Sequence, residues 1–307
     1  QRPGLIQRLT ELRRYADESA PDPVLNGDRI FYHAIKKDWE RGAFYTRADQ
    51  KADAVLLLDP NQWGLNTLEG TVPSRDGKYL VYGVSEAGKE DPRIKIMEVA
   101  TGKLLTDSLR GRRQGGVSWL PDNSGFYYTS NPFKGEVPEG EEEYWDAVYF
   151  HKLGAPGVDD KKVFSHDQVK EYSHYAYLSE DGQYVFFIRR IFYKNEVYFR
   201  KLAGPDTLMP VVTDFDALYD VCEIEGKFII QTDKDASRGI VYVTDADKPA
   251  KVNWRVLIPE TDDKLEYVST VGGNLYAVYT HNAYTVIKIY TRDGKYIREL
   301  PLPTLGS

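Results

Sequence analysis

One serine of the chain lies in a setting that resembles a catalytic nucleophile. The stretch Gly83-Val84-Ser85-Glu86-Ala87-Gly88 places a serine two residues after a glycine, as in the G-x-S-x-G turn of many hydrolases. Its second glycine comes one residue too late for that motif, and no helical pattern follows. No other serine has glycines at both flanking positions. We therefore interpret Ser85 as the end of a strand followed by a polar turn.

Histidines and acidic residues give no metal or acid–base motif. The five histidines are scattered along the chain, namely His33, His151, His166, His174 and His281. The H-E-x-x-H and paired C-x-x-C spacings of metal sites are absent. Residues 233–239 resemble the opening of a calcium loop, but Thr244 occupies the twelfth position, where an acidic ligand is needed. The sequence predicts a polar turn there, and neither a metal nor a cofactor.

Two charged segments remain as candidates for binding. Arg110, Arg112 and Arg113 fall in one predicted loop and could hold a phosphate or a carboxylate, although pairing with local acids is the more common arrangement. Residues 135–146 carry six acidic side chains in no ligand-like spacing and are predicted to form a solvated surface loop. No residue of this chain is therefore predicted to be catalytic.

The elements that carry these residues follow a repeat. A glycine turn precedes an aromatic, β-branched strand six times. The glycines are Gly27, Gly77, Gly125, Gly182, Gly226 and Gly273. A period near fifty residues, with further short strands in each unit, is typical of a β-propeller with four-stranded blades. An irregular β-sandwich is the alternative fold. Residues 103–105 are predicted as the outer strand of the second repeat, and residues 184–188 as a strand of the fourth.

The amino-terminal segment differs from the repeats. Residues 2–15 are predicted to be helical because Leu5, Ile6, Leu9 and Leu12 lie on one stripe, and residues 16–24, which include two prolines, are predicted to be a linker. We expect residues 1–22 to form the helix and linker and residues 23–307 to form the propeller domain. The first residue is Gln1, so a processed or truncated amino terminus is expected.

Composition narrows the class of protein. The 307 residues include 12 Phe, 5 Trp and 23 Tyr, which favour strands and supply a core. The net charge of −7, with both signs mixed, argues against nucleic acid as a partner. No apolar run is long enough for a membrane span, so no membrane partner is expected. The single cysteine, Cys222, fits a reducing compartment, and a cytoplasmic location is predicted with a periplasmic one as the alternative.

Five ordered stretches give the chain a resemblance to the propeller domain of the prolyl oligopeptidase family of serine peptidases. They are residues 57–61 (LLDPN), 82–88 (YGVSEAG), 148–154 (VYFHKLG) with Asp160 following, 254–260 (WRVLIPE), and 300–303 (LPLP) before Gly306. Residues 8–12 (RLTEL) resemble the lead-in segment of the family, so the likeness extends from about residue 8 to the end of the chain.

The resemblance implies a seven-bladed propeller that covers an α/β-hydrolase domain, with the catalytic triad in that other domain. The chain would then be a non-catalytic fragment of a serine-type prolyl endopeptidase, one repeat short of seven blades. Its partners would be the hydrolase domain of the parent protein and short proline-containing peptides, to which it would gate access. The alternative is a stand-alone propeller that serves as a scaffold for binding a protein or peptide.

The resemblance also implies one substrate-binding residue. Arg189 matches an arginine that lends its side chain to the substrate pocket of the family, and it is predicted to follow the strand at residues 184–188. A loop arginine paired with a neighbouring acid is the alternative role. Three nearby pocket positions that are usually apolar, aromatic or cysteine are occupied here by Gln114, Ser173 and Phe192, so the resemblance does not define the substrate preference.

Overall fold

A computed structural model of the protein describes residues 2–14, 24–36, 39–87, 89–304 and 306. These residues form one α-helix, α1 (Arg2–Arg14), 23 strands and three single-turn 3-10 helices at Pro60–Gln62, Gly157–Asp159 and Lys251–Asn253. The predicted helix at 2–15 is confirmed over residues 2–14, and residue 15 lies outside the described residues. Leu5, Ile6 and Leu9 on its surface are exposed. Most of the predicted linker lies outside the described residues, so the domain boundary between residues 22 and 23 stays a prediction.

The strands pair in chain order into six antiparallel sheets, five with four strands and one with three. Sheet 1 has β1 (Val24–Asn26), β2 (Arg29–Ala34), β3 (Ala43–Arg47) and β4 (Val55–Leu58), and sheet 2 has β5 (Thr67–Pro73), β6 (Tyr79–Ser85) and β7 (Arg93–Glu98). Sheet 3 has β8 (Arg112–Trp119), β9 (Gly125–Asn131), β10 (Ala147–Lys152) and β11 (Lys161–Phe164), and sheet 4 has β12 (Ser173–Leu178), β13 (Tyr184–Ile191), β14 (Lys194–Lys201) and β15 (Met209–Val212). Sheet 5 has β16 (Tyr219–Ile224), β17 (Lys227–Thr232), β18 (Ile240–Asp245) and β19 (Arg255–Ile258), and sheet 6 has β20 (Lys264–Val271), β21 (Asn274–His281), β22 (Tyr284–Thr291) and β23 (Tyr296–Glu299).

Each glycine turn joins the first and second strands of a sheet. In sheet 2, Ser74 donates its hydroxyl hydrogen to Asp76 at 2.9 Å and accepts the Tyr79 N–H at 3.0 Å. In sheet 4 the corresponding Ser179 makes the same two bonds, at 2.6 and 3.0 Å, to Asp181 and Tyr184. The same side-chain bonds therefore close the turn in both sheets.

Sheet 2 departs from the predicted four strands. The strand predicted at residues 103–105 is wrong, because only an isolated bridge joins Leu104 to Met97 of β7. Beyond that bridge the side chain of Gln114 takes the place of a strand, and its Oε1 accepts the N–H of Ile94 at 2.9 Å. A polar side chain thereby satisfies a backbone donor that a fourth strand would otherwise pair.

The first strands of sheets 1 and 2, β1 and β5, were missed by the sequence pattern. Strand β5 reads Thr-Leu-Glu-Gly-Thr-Val-Pro and has a register shift between Glu69 and Thr71. Gly70, at φ +60°, forms the extra residue of this bulge. The bulge and the two polar ends remove the alternating apolar pattern that would have identified β5.

The chain divides into two compact units, residues 1–165 and 166–307, each with three sheets. Within the first unit, apolar side chains of sheet 2 pack on sheet 1 from one face and on sheet 3 from the other, with Leu80 and Ile96 among them. In the second unit, sheet 5 contributes Phe228 to its core with sheet 4 and Ile229 to its core with sheet 6. Successive residues of a central strand thus point into neighbouring cores, as strand periodicity requires.

Among the described residues, no helix has the length and apolarity needed to cross a membrane. The acidic segment predicted as a surface loop, residues 135–146, lies between β9 and β10, which confirms its place.

Candidate functional site

Arg189 lies within strand β13 and not after it, because β13 continues to Ile191. The predicted end of that strand at residue 188 is therefore wrong. Arg189 stands opposite His174 of β12 on one side and opposite Glu196 of β14 on the other. Side chains opposite one another in neighbouring strands share a face of the sheet. These three polar side chains consequently form a row near one end of sheet 4.

The guanidinium group of Arg189 is held by a buried acid. It forms an ion pair with Glu196, whose side chain is 8% exposed, while the side chain of Arg189 is 19% exposed. The Tyr198 hydroxyl donates to Glu196 Oε2 at 3.0 Å, and burial, followed by the negative charge of Glu196, raises the pKa of Tyr198. The Nε of Arg189 is buried with no hydrogen-bond partner among the described residues.

An aromatic wall borders this arginine. The Cζ of Arg189 lies 5.3 Å from the ring centre of Tyr172, within the range of a cation–π contact. The Tyr172 ring packs edge-on against His166 at 4.9 Å and Phe215 at 5.2 Å between ring centres. All three rings are partly exposed. The side of the guanidinium away from Glu196 therefore faces a half-open aromatic surface.

His166 is neutral near pH 7. Its Nδ1 accepts the backbone N–H groups of Gln168 and Val169, both at 3.2 Å, which places its single proton on Nε2. Burial, and then the positive charge of Arg189, lowers the pKa of His166. The Arg189 cluster, defined as His166, Tyr172, His174, Arg189, Glu196 and Tyr198, thus presents a guanidinium donor and an aromatic face. It can bind a hydrogen-bond acceptor and contains no activated nucleophile.

The other pocket positions implied by the sequence have different environments. Phe192 is at the tip of the β13–β14 hairpin, is 80% exposed and has a φ of +47°. Ser173 is exposed at the start of β12. Gln114 is buried in the unit of residues 1–165, where its Nε2 donates to the carbonyl oxygen of Leu109 at 2.9 Å. Gln114 is therefore committed to the backbone of its own unit.

The charged segments considered from the sequence are paired with local acids. Arg110 bonds Glu136, and Arg113 bonds Glu90 at 2.8 Å and also Glu143. The prediction of a single arginine loop is wrong, since Arg112 and Arg113 begin β8. Ser85 is a buried residue that ends β6, as predicted, and Gly88 of the same stretch lies outside the described residues.

The calcium-like turn at residues 233–239 makes local bonds. Asp233 accepts the N–H of Leu218 at 3.1 Å, and Lys234 pairs with Asp216 at 3.0 Å. In the described part of the chain, no three His, Cys, Asp or Glu side chains are grouped so that they could hold a metal ion.

A buried polar group that the sequence did not indicate lies in the first unit. His151 is bonded through Nδ1 to Asp160 at 2.8 Å and through Nε2 to Asp107 at 3.1 Å, and all three side chains are almost fully buried. Tyr128 donates its hydroxyl hydrogen to Asp160 at 2.6 Å. His151 and Asp160 fall in one of the stretches that carry the family resemblance, but Asp107 and Tyr128 are 44 and 32 residues away from their partners, so only the fold brings the four together.

One known protein family accounts for the whole chain. The family model described as the prolyl oligopeptidase N-terminal beta-propeller domain matches residues 1–307. The chain belongs to this family. The predicted β-propeller fold and the predicted family are thereby confirmed.

The chain is similar to two prolyl endopeptidases that are much longer than it is. The chain is 29% identical over 313 residues to a prolyl endopeptidase of Elizabethkingia meningoseptica, covering 100% of the chain and 44% of the relative. It is 30% identical over 308 residues to the prolyl endopeptidase of Elizabethkingia miricola, covering 98% of the chain and 43% of the relative. The chain therefore spans less than half the length of these relatives of the prolyl oligopeptidase family.

Solved structures agree with the fold. One from a study of two prolyl endopeptidases superposes with a TM-score of 0.89 at 27% identity, over 98% of this chain and 46% of that one. Prolyl oligopeptidase B from Galerina marginata, bound to a 25mer macrocyclization substrate, gives a TM-score of 0.86 at 21% identity, over 98% of this chain and 47% of that one. The second likeness concerns the fold alone.

Proposed function

We propose that this chain is the non-catalytic propeller of a prolyl-oligopeptidase-like serine peptidase, which gates the access of short proline-containing peptides to a hydrolase domain. One observation carries the proposal: the propeller family model matches the entire chain, while the chain accounts for less than half of the named prolyl endopeptidases. A ring of sheets over a catalytic cleft would admit flexible peptides and reject folded proteins by size.

The described side chains are consistent with a role outside bond cleavage. Ser85 is buried at the end of a strand, and His151 is enclosed between two carboxylates. Neither group has the exposed nucleophile and adjacent base that acyl transfer requires. The peptide bond would therefore be broken by residues of the partner domain.

The experiment compares the isolated chain with a chimera. The purified chain is assayed with a chromogenic prolyl peptide and a serine-reactive phosphonate, and we expect neither cleavage nor labelling. A chimera in which this chain replaces the propeller of the Elizabethkingia meningoseptica enzyme should cleave the short peptide and spare a folded protein that contains the same sequence. Cleavage by the isolated chain would overturn the non-catalytic role, and equal cleavage of both substrates by the chimera would overturn gating.

We further propose that Arg189 contacts the substrate. Its partly exposed guanidinium and its aromatic border both suit a peptide carbonyl group as the ligand. In the chimera, Arg189→Met should raise KM for a prolyl peptide about tenfold or more, because a charge-assisted hydrogen bond is lost. Arg190→Met, one residue along the same strand, is the matched control and should leave KM within about twofold.

A specific observation supports the alternative role as a binding scaffold. Phe192 and Tyr193 are adjacent at a hairpin tip and are 80% and 79% exposed, and aromatic residues are enriched at interfaces. If the isolated chain captured a folded partner from solution and lost it on Phe192→Ser substitution, while the chimera remained inactive, the scaffold role would be favoured over gating.

A further inference from the structure

The positive charge of Arg189 is neutralised by the carboxylate of Glu196. Glu196 is directly opposite Arg189 in the β13–β14 ladder, and the two side chains form an ion pair. Glu196 is fixed in turn by the hydroxyl of Tyr198 at 3.0 Å, and it is the more buried member of the pair. A carboxylate held this way cannot swing into solvent to make room for another anion. The site therefore presents guanidinium N–H groups without a net positive charge.

Two groups beside the pair, His166 and Tyr172, add no positive charge. His166 Nδ1 accepts two backbone N–H groups, so the ring carries a single proton, and burial and Arg189 lower its pKa. Tyr172 contributes the face of its ring, which carries partial negative charge. An incoming carboxylate would meet Glu196 at close range, and like charges at close range in a poorly solvated site are strongly disfavoured. A neutral carbonyl group meets no such repulsion.

The donors that remain on Arg189 indicate the size of the ligand group. Arg189 Nε is closed to solvent, so a ligand has to bind the other guanidinium N–H groups. A single carbonyl oxygen approaching past the Tyr172 ring needs only one of them. A carboxylate would need two donors side by side, and Glu196 already takes part of the guanidinium.

We infer that Glu196 is a specificity-determining residue: it neutralises Arg189, so the site accepts an uncharged peptide carbonyl and rejects a peptide that carries a carboxylate at that position. Glu196 acts through Arg189 and is a positioning residue. The inference rests on the proposed role of Arg189 in substrate binding, and it adds to that role the class of substrate that the site selects.

The test measures charge preference with the 307-residue chain. Two end-blocked proline-containing peptides that differ only by Asn or Asp are titrated by calorimetry against wild type, Glu196→Gln and Arg189→Gln. Wild type should prefer the Asn peptide. Glu196→Gln should gain about tenfold in affinity for the Asp peptide, because it unmasks the charge of Arg189. Arg189→Gln should weaken binding of both peptides and disfavour the Asp peptide further. An unchanged Asn-to-Asp ratio in Glu196→Gln would overturn the inference.

A matched control and a second probe separate this inference from the proposed function. Glu223 is another buried glutamate of the same unit, so Glu223→Gln should keep the wild-type preference. Acetate alone is followed through the NMR signals of His166, and it should bind Glu196→Gln but neither wild type nor the Arg189→Gln/Glu196→Gln double variant.

Each outcome of the acetate experiment decides one question. If wild type binds neither peptide and Glu196→Gln still binds acetate, substrate binding by Arg189 fails while charge cancellation by Glu196 stands. If Glu196→Gln is folded by circular dichroism and binds no acetate, or if wild type binds acetate, charge cancellation is wrong. If Glu196→Gln does not fold, Arg189→Gln decides, because a constant Asn-to-Asp ratio in that variant contradicts the inference.

Discussion

The imidazole of His151 and the carboxylate of Asp160 form a fully buried pair, 2.8 Å between Nδ1 and Oδ1. Asp107 bonds the other ring nitrogen at 3.1 Å, so each nitrogen faces a carboxylate and each must carry a proton to donate. The two bonded carboxylates raise the pKa of His151 against the opposing effect of burial, which is the largest single influence. The ring is therefore held as an imidazolium that ties β10 to the segments carrying Asp107 and Asp160.

This pair predicts a loss of stability at alkaline pH. The folded pKa of His151 is raised above 6.5, so its contribution is complete below pH 6.5 and is lost as the pH rises through the raised value. His151→Gln should lower the free energy of unfolding by about 3 kcal/mol or more at low pH, because two buried carboxylates lose their cation. Urea unfolding from about pH 5.5 to about pH 9 should show the difference from wild type shrinking as pH rises.

His33 serves as a control for His151, because its pKa is shifted in the opposite direction. Burial lowers the pKa of His33, so protonation of His33 disfavours the folded state and its effect appears as pH falls. His33→Gln should therefore leave the alkaline loss of stability in place. Parallel pH profiles for wild type and His151→Gln would contradict the assignment of an imidazolium to His151.

Gln114 should be essential to sheet 2. Its Oε1 accepts from Ile94, and its Nε2 donates to the carbonyl groups of Leu109 at 2.9 Å and Gly111 at 3.2 Å. Gln114→Leu keeps the approximate volume but leaves buried backbone groups unpaired, so the free energy of unfolding should fall by about 2–4 kcal/mol. Gln183→Leu, at an exposed position, should change it by less than about 0.5 kcal/mol. Equal effects of the two substitutions in urea unfolding would show that the side-chain bonds of Gln114 are dispensable.

Two glycines of sheet 3 should respond differently to alanine. A Cβ on Gly125 would collide with the carbonyl oxygen of His151 and lie 2.8 Å from Phe150 Cζ, whereas a Cβ on Gly115 would meet no atom within 4 Å. Neither residue has a positive φ, so the comparison isolates steric space. Gly125→Ala should cost about 1–3 kcal/mol of unfolding free energy. Gly115→Ala should be neutral or stabilising by up to about 1 kcal/mol, and a larger loss at Gly115 would contradict the open space there.

The fold was predictable because its determinants are local. Gly77 and Gly182 adopt φ values of +70° and +71°, and the neighbouring Ser and Asp side chains close both turns in the same way. Residues adjacent in sequence therefore determine these turns. The missing fourth strand of sheet 2 was not predictable, because Gln114 replaces it through a bond to a residue twenty positions away. No local pattern encodes such a contact.

The candidate site was predictable only in part. Arg189 came from family resemblance, and its place inside β13 could not be inferred because the apolar run ends at Ile188 while the backbone ladder continues to Ile191. Its partner Glu196 is separated from it by a hairpin, and the pairing follows from the register of β13 with β14. Side chains alternate between the two faces of a strand, but this alternation places Arg189 and Glu196 on the same face only when the register of β13 with β14 is known.

The thiol of Cys222 should be unreactive in the folded protein. Cys222 borders a cavity of about 240 Å³ together with Asp220 and Tyr177. Burial, followed by the negative charges of Glu223, Glu180 and Asp220, raises the pKa of the thiol to about 12. Since the thiolate is the nucleophile, labelling by a disulfide reagent near pH 8 should be about a thousandfold slower in native buffer than in denaturing urea.

The single cysteine makes this measurement unambiguous, because every labelled molecule reports the same site. Asp220→Asn removes one of the nearby carboxylates and should accelerate native labelling severalfold without altering the rate in urea. Native labelling at the denatured rate would mean that the thiol is neither buried nor surrounded by negative charge.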